Sequence, residues 1–323
     1  MESLEQLHKQ LDSLDELRTI VKTMKALSAA SIRQYEQAVG ALAGYYRTVE
    51  RGLFVVLKDR PYPPAFSSRR AGEPHRLAAI VFGSDHGLCG RFNEEIANYA
   101  LQRMASAPAD QPAGRPVRTH AVRPEGTKPG MAKHQPRNRL VLAVGGRVAA
   151  SLEAEGETIE EDFLVPGSAS QITATVQQIL LKIDEWREQA GVDTVYLFYN
   201  RHAGGGGYHP TGVALLPLNL RRFHHLQEET WPARSLPIFT MDRDRLLSRL
   251  LHQYLFVSVF RACAESQASE HASRLAAMQS AQRNLDDRLE EVTIRFRRAR
   301  QNTITAELLD VVSGFKAITA ERK

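Results

Sequence analysis

From Ile238 to Ser313 the chain carries neither a glycine nor a proline. Read as one α-helix, that segment is on the order of 110 Å long at ~1.5 Å per residue. A single domain of the size this chain can build is much narrower, so such a helix has to project from it. The projecting part cannot bury an apolar stripe against its own domain, and a lone helix gains little stability in water. It requires a partner helix and, around that pair, other proteins.

The other end of the chain offers the partner. Leu4, Leu7, Leu11 and Leu14 are spaced three and four apart, and after one short step the pattern resumes at Leu17, Val21 and Met24. No glycine precedes Gly40 and no proline precedes Pro61. This predicts a long amphipathic helix. The stripe continues through Ser28 and Ser31, so the seam is expected to weaken towards Tyr35 or to face something other than a leucine zipper. In the C-terminal segment Leu275, Met278, Gln282, Leu285, Leu289, Val292, Phe296 and Ala299 follow a heptad with one polar member. The phase slips after Ala299, and a new stripe runs through Ile304, Leu308, Val311, Phe315 and Ile318. Such a slip locally changes a supercoil. The expected architecture is therefore a long antiparallel coiled coil of the N- and C-terminal helices, with the middle of the chain inserted between them. Separate long helices, or pairing between two chains, use the same pattern.

The middle reads differently. Residues 76–83 (RLAAIVFG), 139–145 (RLVLAVG) and 193–200 (DTVYLFYN) are short apolar runs bounded by turn signals, hence buried strands. Residues 212–217 (GVALLP) give a fourth strand, at the sheet edge because of its proline. Helices are expected at 91–104, near 147–154 and at 170–190, the last with apolar spacing at Ile172, Val176, Ile179 and Ile183. Alternating strands and helices indicate a doubly wound, Rossmann-like α/β layer. The domain plan is a first shaft helix in 1–60, an α/β domain in 75–220 and a second shaft helix in 238–320. Residues 107–138 interrupt the pattern. They hold six prolines, and Arg115, Arg118, Arg123, Lys128, Lys133 and Arg137 against only Asp110 and Glu125. The segment reads as a disordered basic insertion, either an inert excursion or a contact to an acidic partner or anionic lipid head groups.

Composition excludes several classes. Hydrophobic content of 43% and charged content of 24% are globular values, enough for a core. The formal charge of +5 is mild, and no aromatics interleave with a basic stripe, so no nucleic-acid partner is called for. Cys89 and Cys263 show neither CxxC nor metal-ligand spacing, which fits a reducing compartment. The opening Met-Glu-Ser-Leu-Glu-Gln is unlike a signal peptide, and the most apolar stretch, 254–260, is too short to span a bilayer. A soluble protein is expected, one that can still attach to a membrane complex.

Three stretches invite chemical readings. Gly83-Ser-Asp-His-Gly-Leu-Cys-Gly90 follows a strand and precedes a helix, where nucleotide-binding loops sit. It lacks the Gly-Lys-Ser/Thr ending of a P-loop and the spacing of a dinucleotide fingerprint, so a tight structural turn is the stronger expectation. Ser84, Asp85, His86 and Cys89 are too close in sequence to form an oriented triad. Residues 201–210 place two histidines around four glycines, but no third metal ligand follows from the spacing, and a mobile loop between strands is expected. Arg295, Arg297, Arg298 and Arg300 spread around the helix, either as a solvated face or, on a shaft inside another complex, against acidic loops. No catalytic residue, cofactor or metal is called for.

The helical ends also carry a specific resemblance. Ile20-Val-Lys-Thr-Met-Lys-Ala-Leu-Ser-Ala-Ala-Ser-Ile-Arg33 resembles the N-terminal motif ITKAMKMVAASKLR of the γ subunits of F-type rotary ATPases. Ser84-Asp-His-Gly-Leu-Cys-Gly-Arg-Phe-Asn93 resembles SDRGLCGGLN, and Tyr199-Asn200 with Leu215-Leu-Pro-Leu218 resembles YN…LLPL. Ala268-Ser-Glu-His-Ala-Ser-Arg-Leu-Ala-Ala-Met278 and Ala299-Arg-Gln-Asn-Thr-Ile-Thr-Ala-Glu-Leu308 are similar to ASEHAARMAAM and ARQAAITQEL. The matches fall in order, and the departures, such as Ser31-Ile32-Arg33 and the four glycines, mark a divergent branch. The resemblance implies a non-catalytic central-stalk rotor. It implies partners in the α and β subunits of the F1 hexamer, the ε subunit and the membrane c ring, and a peripheral place on the cytoplasmic face of a prokaryotic inner or plasma membrane. It implies contact and coupling roles for Met24, Lys25, Arg274, Arg300, Gln301, Thr305 and Glu307. It also implies that Gly87, Leu88, Cys89 and Gly90 form a turn of the globular domain near the c-ring end. A nucleotide-dependent enzyme and a coiled-coil scaffold are the rival classes. The first predicts nucleotide binding lost on mutating the glycine turn, the second a self-standing dimer.

Overall fold

The computed structural model describes residues 3–57, 76–106, 139–204, 207–218 and 237–320. The basic stretch 107–138 lies outside them. The chain divides into two compact units, Ser31–Ser273 and the pair Met1–Ala30 with Arg274–Lys323. Two helices run through both: α1 (Leu4–Leu57) and, at the far end, a 78-residue helix, Arg243–Ala320. Between them come β1 (Leu77–Phe82), α2 (Phe92–Ser106), β2 (Arg139–Val144), α3 (Gly146–Ala154), β3 (Glu161–Phe163), a 3₁₀ turn (Ala169–Gln171), α4 (Ile172–Gln189), β4 (Thr194–Gly204) and β5 (Gly207–Leu216). The C-terminal helix is α5.

The starts of the long helices are written locally. Ser3 and Gln6 form a capping box: Gln6 N–H donates to Ser3 Oγ at 3.2 Å, and Ser3 N–H to Gln6 Oε1 at 3.0 Å. Asp242 caps α5, its Oδ2 accepting from Arg245 N–H at 3.1 Å. The absence of Gly and Pro therefore overstates the helix by a few residues at its start, and the helix passes through Gly314 at the other end.

In the larger unit the strand order is β3-β2-β1-β4-β5, parallel except for β5, which runs antiparallel to β4 at the edge. Strand residues alternate between two buried faces, which is why these strands read as apolar runs. Ala79, Val81, Val141 and Ala143 pack with Ile96, Ala100 and Met104 of α2 and with Val148 and Leu152 of α3. Ile80, Phe82, Leu142, Val144 and Leu197 join a second cluster with α4, with Tyr35, Val49 and Leu53 of α1, and with Leu247, Leu251 and Tyr254 of α5. Within this unit α1 and α5 run antiparallel: Tyr35 stacks on His271 at 5.6 Å, and Tyr46 meets Tyr254 at 5.7 Å.

The smaller unit is an antiparallel helix pair. Lys25 Nζ donates to Gln282 Oε1 at 3.0 Å, Arg18 pairs with Asp286 at 2.8 Å, and the His8 and Phe296 rings meet edge-on at 6.0 Å. Leu7, Val21, Met278 and Val292 are buried along the seam. Ser28 is only 2% exposed, so the seam stays closed where the small polar residues suggested weakening. Leu17, assigned to the stripe, is instead 49% exposed. A straight helix advances about 20° per heptad against the 3.5 repeat, and the seam passes from Leu14 to Val21 without it.

One element of the middle is unannounced by its sequence and one expectation is corrected. β3 has the polar sequence Glu161-Asp162-Phe163 and no apolar run, and it forms on the parallel edge that β2 offers. Residues 201–210 are not a loop for the most part. β4 continues to Gly204 and β5 starts at Gly207, with Asn200 opposite Pro210 and His202 opposite Tyr208. Cross-strand pairing overrides the Gly, His and Pro composition there. Gly205 and Gly206 lie outside the described residues.

Candidate functional site

The turn after β1 is built to hold itself. Gly83 follows the strand because a Cβ there would lie 2.3 Å from Val148 Cβ and 2.6 Å from Asn93 Oδ1. Ser84 N–H donates to Asn93 Oδ1 at 2.9 Å, and Asn93 Nδ2 returns a bond to Ser84 Oγ at 2.8 Å. Ser84 Oγ in turn donates to His86 O at 2.8 Å. Leu88 and Gly90 both take positive φ, 64° and 61°, which closes the turn and leaves Leu88 60% exposed. Cys89 is buried behind it, and Gly87 sits 3.8 Å from the Arg147 guanidinium by its would-be Cβ.

Asp85 decides what the turn can do. Its Oδ1 accepts from Gly146 N–H at 3.0 Å and its Oδ2 from Val165 N–H at 2.9 Å. Gly146 opens α3, the helix after β2, so the carboxylate caps the N-terminus of a neighbouring helix and ties the turn to it. Ser84 and Cys89 face one another and Asn93 rather than a cleft. The chemical residues of the glycine turn are spent on architecture. The role of Asp85 and Asn93 was legible only as residue types; their partners are far along the chain or across the turn.

The positions singled out by resemblance fall into two groups. Arg274 is 7% exposed, and Met24 and Lys25 are half-buried, all in the smaller unit. Arg300, Gln301, Thr305 and Glu307 lie on the exposed end of α5, where Thr305 Oγ1 donates only to Gln301 O of its own helix, at 2.8 Å, among the bonds described. All seven positions belong to the smaller unit. Around them α5 presents Ile304, Leu308 and Val311 at 42%, 61% and 71% exposure.

A second polar cluster, unmarked in the sequence, lies where β4 meets α5. Glu265, 8% exposed, accepts from Arg201 Nε at 3.2 Å and from Arg261 Nε at 2.7 Å. Arg201 also donates to the Tyr199 hydroxyl at 3.0 Å, and burial pushes that phenol above its usual range. Deeper in, Cys263 is fully buried, and desolvation followed by the Glu270 charge pushes its thiol up to about 12. Burial, with Cys263 and Glu270 nearby, pushes Tyr35 up to about 12 as well, and its hydroxyl donates to Pro166 O at 3.1 Å. The contacts that cross the fold, Arg201 with Glu265 and Tyr35 with Pro166, join residues 64 and 131 positions apart, and no local pattern marks them. Among the described residues no group of His, Cys, Asp and Glu is placed to hold a metal.

An α/β layer between two long terminal helices that pair antiparallel, with a glycine turn held by its own side chains, defines a structural subunit built on a helix pair. The family model described as ATP synthase matches residues 3–318, and the chain belongs to the ATP synthase gamma-chain family. It is similar to the ATP synthase gamma chain of Pelotomaculum thermopropionicum, 27% identical over 321 residues, spanning 98% of this chain and 100% of that one. The gamma chain of Geobacter metallireducens is 28% identical over 323 residues, with 98% and 99% covered. Among solved structures, a chain of the Euglena gracilis mitochondrial ATP synthase OSCP/F1/c-ring assembly shares the fold at a TM-score of 0.60 and 16% identity, covering 99% of this chain and 96% of that one.

Proposed function

We propose that this chain is the central-stalk rotor subunit of an F-type ATP synthase, a non-catalytic part that couples ion flow through the c ring to ATP synthesis or hydrolysis in α3β3. Residues 1–60 and 238–320 serve as the shaft, and 75–220 as the body that meets the ε subunit and the c ring. The observation that carries the reading is the free end of α5. Beyond Arg300 every described side chain is exposed, including Ile304, Leu308, Leu309, Val311 and Val312. The start of α1 is already used at Phe296, where His8 packs. A helix end with an apolar stripe and no covering helix among the described residues of its unit suits a housing formed by other subunits.

The mechanism follows from asymmetry. A shaft with one bare helix end, one paired stretch and one body presents different contacts to each of three surrounding catalytic subunits. Contacts that differ between conformers shift each site's population towards the conformer they favour. Met24 and Lys25, on the paired stretch, and Arg300, Gln301, Thr305 and Glu307, on the bare end, are the contact positions. Arg274, buried in the helix pair, holds its part of the shaft. The turn of Gly87, Leu88, Cys89 and Gly90 belongs to the body. No helix among the described residues is long and apolar enough to cross a membrane. The proposed place, suggested by the bacterial gamma chains the sequence is similar to, is peripheral, on the cytoplasmic face of a prokaryotic inner or plasma membrane.

Co-expression with α and β subunits tests the proposal. One copy of the chain is expected per α3β3, with ATP hydrolysis that depends on its presence. No complex, and hydrolysis indifferent to the chain, contradicts it.

A further inference from the structure

A rotor has to pass torque between its α/β body and its shaft helix. The apolar contacts that join them resist separation, but burial of apolar area is non-directional and by itself favours no one angle. Hydrogen bonds do, because they weaken steeply when bent.

Along α5 one polar stripe meets the body. Glu265, Ser269 and Ser273 stand four residues apart and therefore share a helix face. Each reaches a different point. Glu265 takes Arg201 Nε of β4 at 3.2 Å, while Arg261 on its own helix holds the other oxygen at 2.7 Å. Ser269 Oγ lies 2.9 Å from Asn200 O of β4 and 2.8 Å from Glu265 O of its own helix, and shares its proton between them. Ser273 Oγ donates to Cys89 O in the glycine turn at 2.7 Å, and the Tyr208 hydroxyl of β5 bonds both Ser273 and Glu95.

The body ends of these ties are themselves fixed. Asn200 Nδ2 donates to Phe92 O at the start of α2, at 3.1 Å. Cys89 belongs to the turn braced by Asn93. Glu265 and Ser269 are buried, with Ala262, Ala268 and Ala272 beside them on the helix, so backbone and helix approach closely there, while the Arg201 side chain keeps 49% of its surface exposed. Three directional ties spaced along roughly 12 Å of helix, at ~1.5 Å per residue, hold both the rotation and the height of α5 against the body.

We infer that the Glu265–Ser269–Ser273 stripe is the torsional key that locks α5 to the α/β body, with Arg201 and the carbonyls of Asn200 and Cys89 as its seat. These are positioning residues; they act on the catalytic subunits only through the shaft. The inference rests on the rotor reading.

The test uses the complex with α3β3. Cys89 and Cys263 are buried, and Leu164 is 78% exposed, so Leu164→Cys offers a selective attachment point for a bead on the body. With the hexamer fixed to a surface and the shaft held by bound nucleotide, the angular variance of the bead reports torsional compliance. Arg201→Ala with Ser273→Ala is expected to raise that variance about twofold, having removed two of three directional ties. Arg201→Lys with Ser273→Thr, which keeps a charge and a hydroxyl, is expected to stay near wild type. An unchanged variance in the alanine pair overturns the key. So does an equal rise in the conservative pair, which indicates a packing effect. If the alanine pair does not assemble, each single alanine is measured, and wild-type variance in both overturns it. A wild-type chain that α3β3 does not hold overturns the rotor reading itself, and the key with it.

Discussion

Gly83 shows how little freedom a single position in the turn has. A methyl group there would stand 2.3 Å from Val148 Cβ, which belongs to a packed helix and cannot swing away. Gly83→Ala is expected to cost about 3 kcal/mol, the upper range for overpacking. Gly40 is the control, exposed in mid-α1 with nothing near its would-be Cβ. Gly40→Ala is expected to stabilise by up to about 1 kcal/mol from helix propensity. Urea unfolding of the chain measures both, and a harmless Gly83→Ala contradicts the packing. The sequence identified the turn, but not that Gly83 is required by α3 and Asn93 rather than by a ligand.

Cys263 and Tyr35 set an alkaline limit at the same scale. The thiol ionises near 9.0 in an unfolded chain but near 12 when folded, and the phenol near 10.0 against about 12. Both folded values are raised, so the stability they contribute is complete below the unfolded values and lost as pH rises towards the folded ones. The thermal midpoint should begin to fall just above pH 9. Cys263→Ala should move that onset towards pH 10, leaving the tyrosine. An onset that does not move contradicts the assigned burial.

Elements differ in how far they could be read. The heptad of α5 from Leu275 to Ala299 was legible because helix pairing imposes its period on adjacent residues; every member is buried or half-buried. Leu17 shows the limit: a leucine near the seam is not on it when the helix phase carries it past. β3 and the outer half of the β4–β5 hairpin were not legible, since their stability comes from neighbouring strands and not from their own composition. The bare end of α5 carries its own prediction. Ile304→Ser with Leu308→Ser should change the chain's stability by less than about 0.5 kcal/mol, since both are exposed. Arg300→Ala with Gln301→Ala should reduce ion transport per ATP hydrolysed more than it reduces assembly with α3β3. Parallel assays of hydrolysis, transport and complex yield check this, and unchanged transport per ATP removes those two residues from the contact.

For the molecule as a whole, the insertion of an α/β layer between two terminal helices was legible from order alone: a leucine stripe, alternating strands and helices, then a segment without glycine or proline. What order could not reveal is how the layer is fastened. The fastening residues, Arg201, Glu265, Ser269 and Ser273, are polar positions on segments that otherwise read as strand or helix, and their pairing depends on the three-dimensional meeting of β4 with α5. The central claim is that this fastened unit turns inside a hexamer. Its most direct test is a bead on Leu164→Cys in surface-fixed α3β3 complexes supplied with ATP. The account predicts rotation in one direction, pausing at three orientations, and none without the chain's shaft helices. A bead that stays still while ATP is hydrolysed would contradict it.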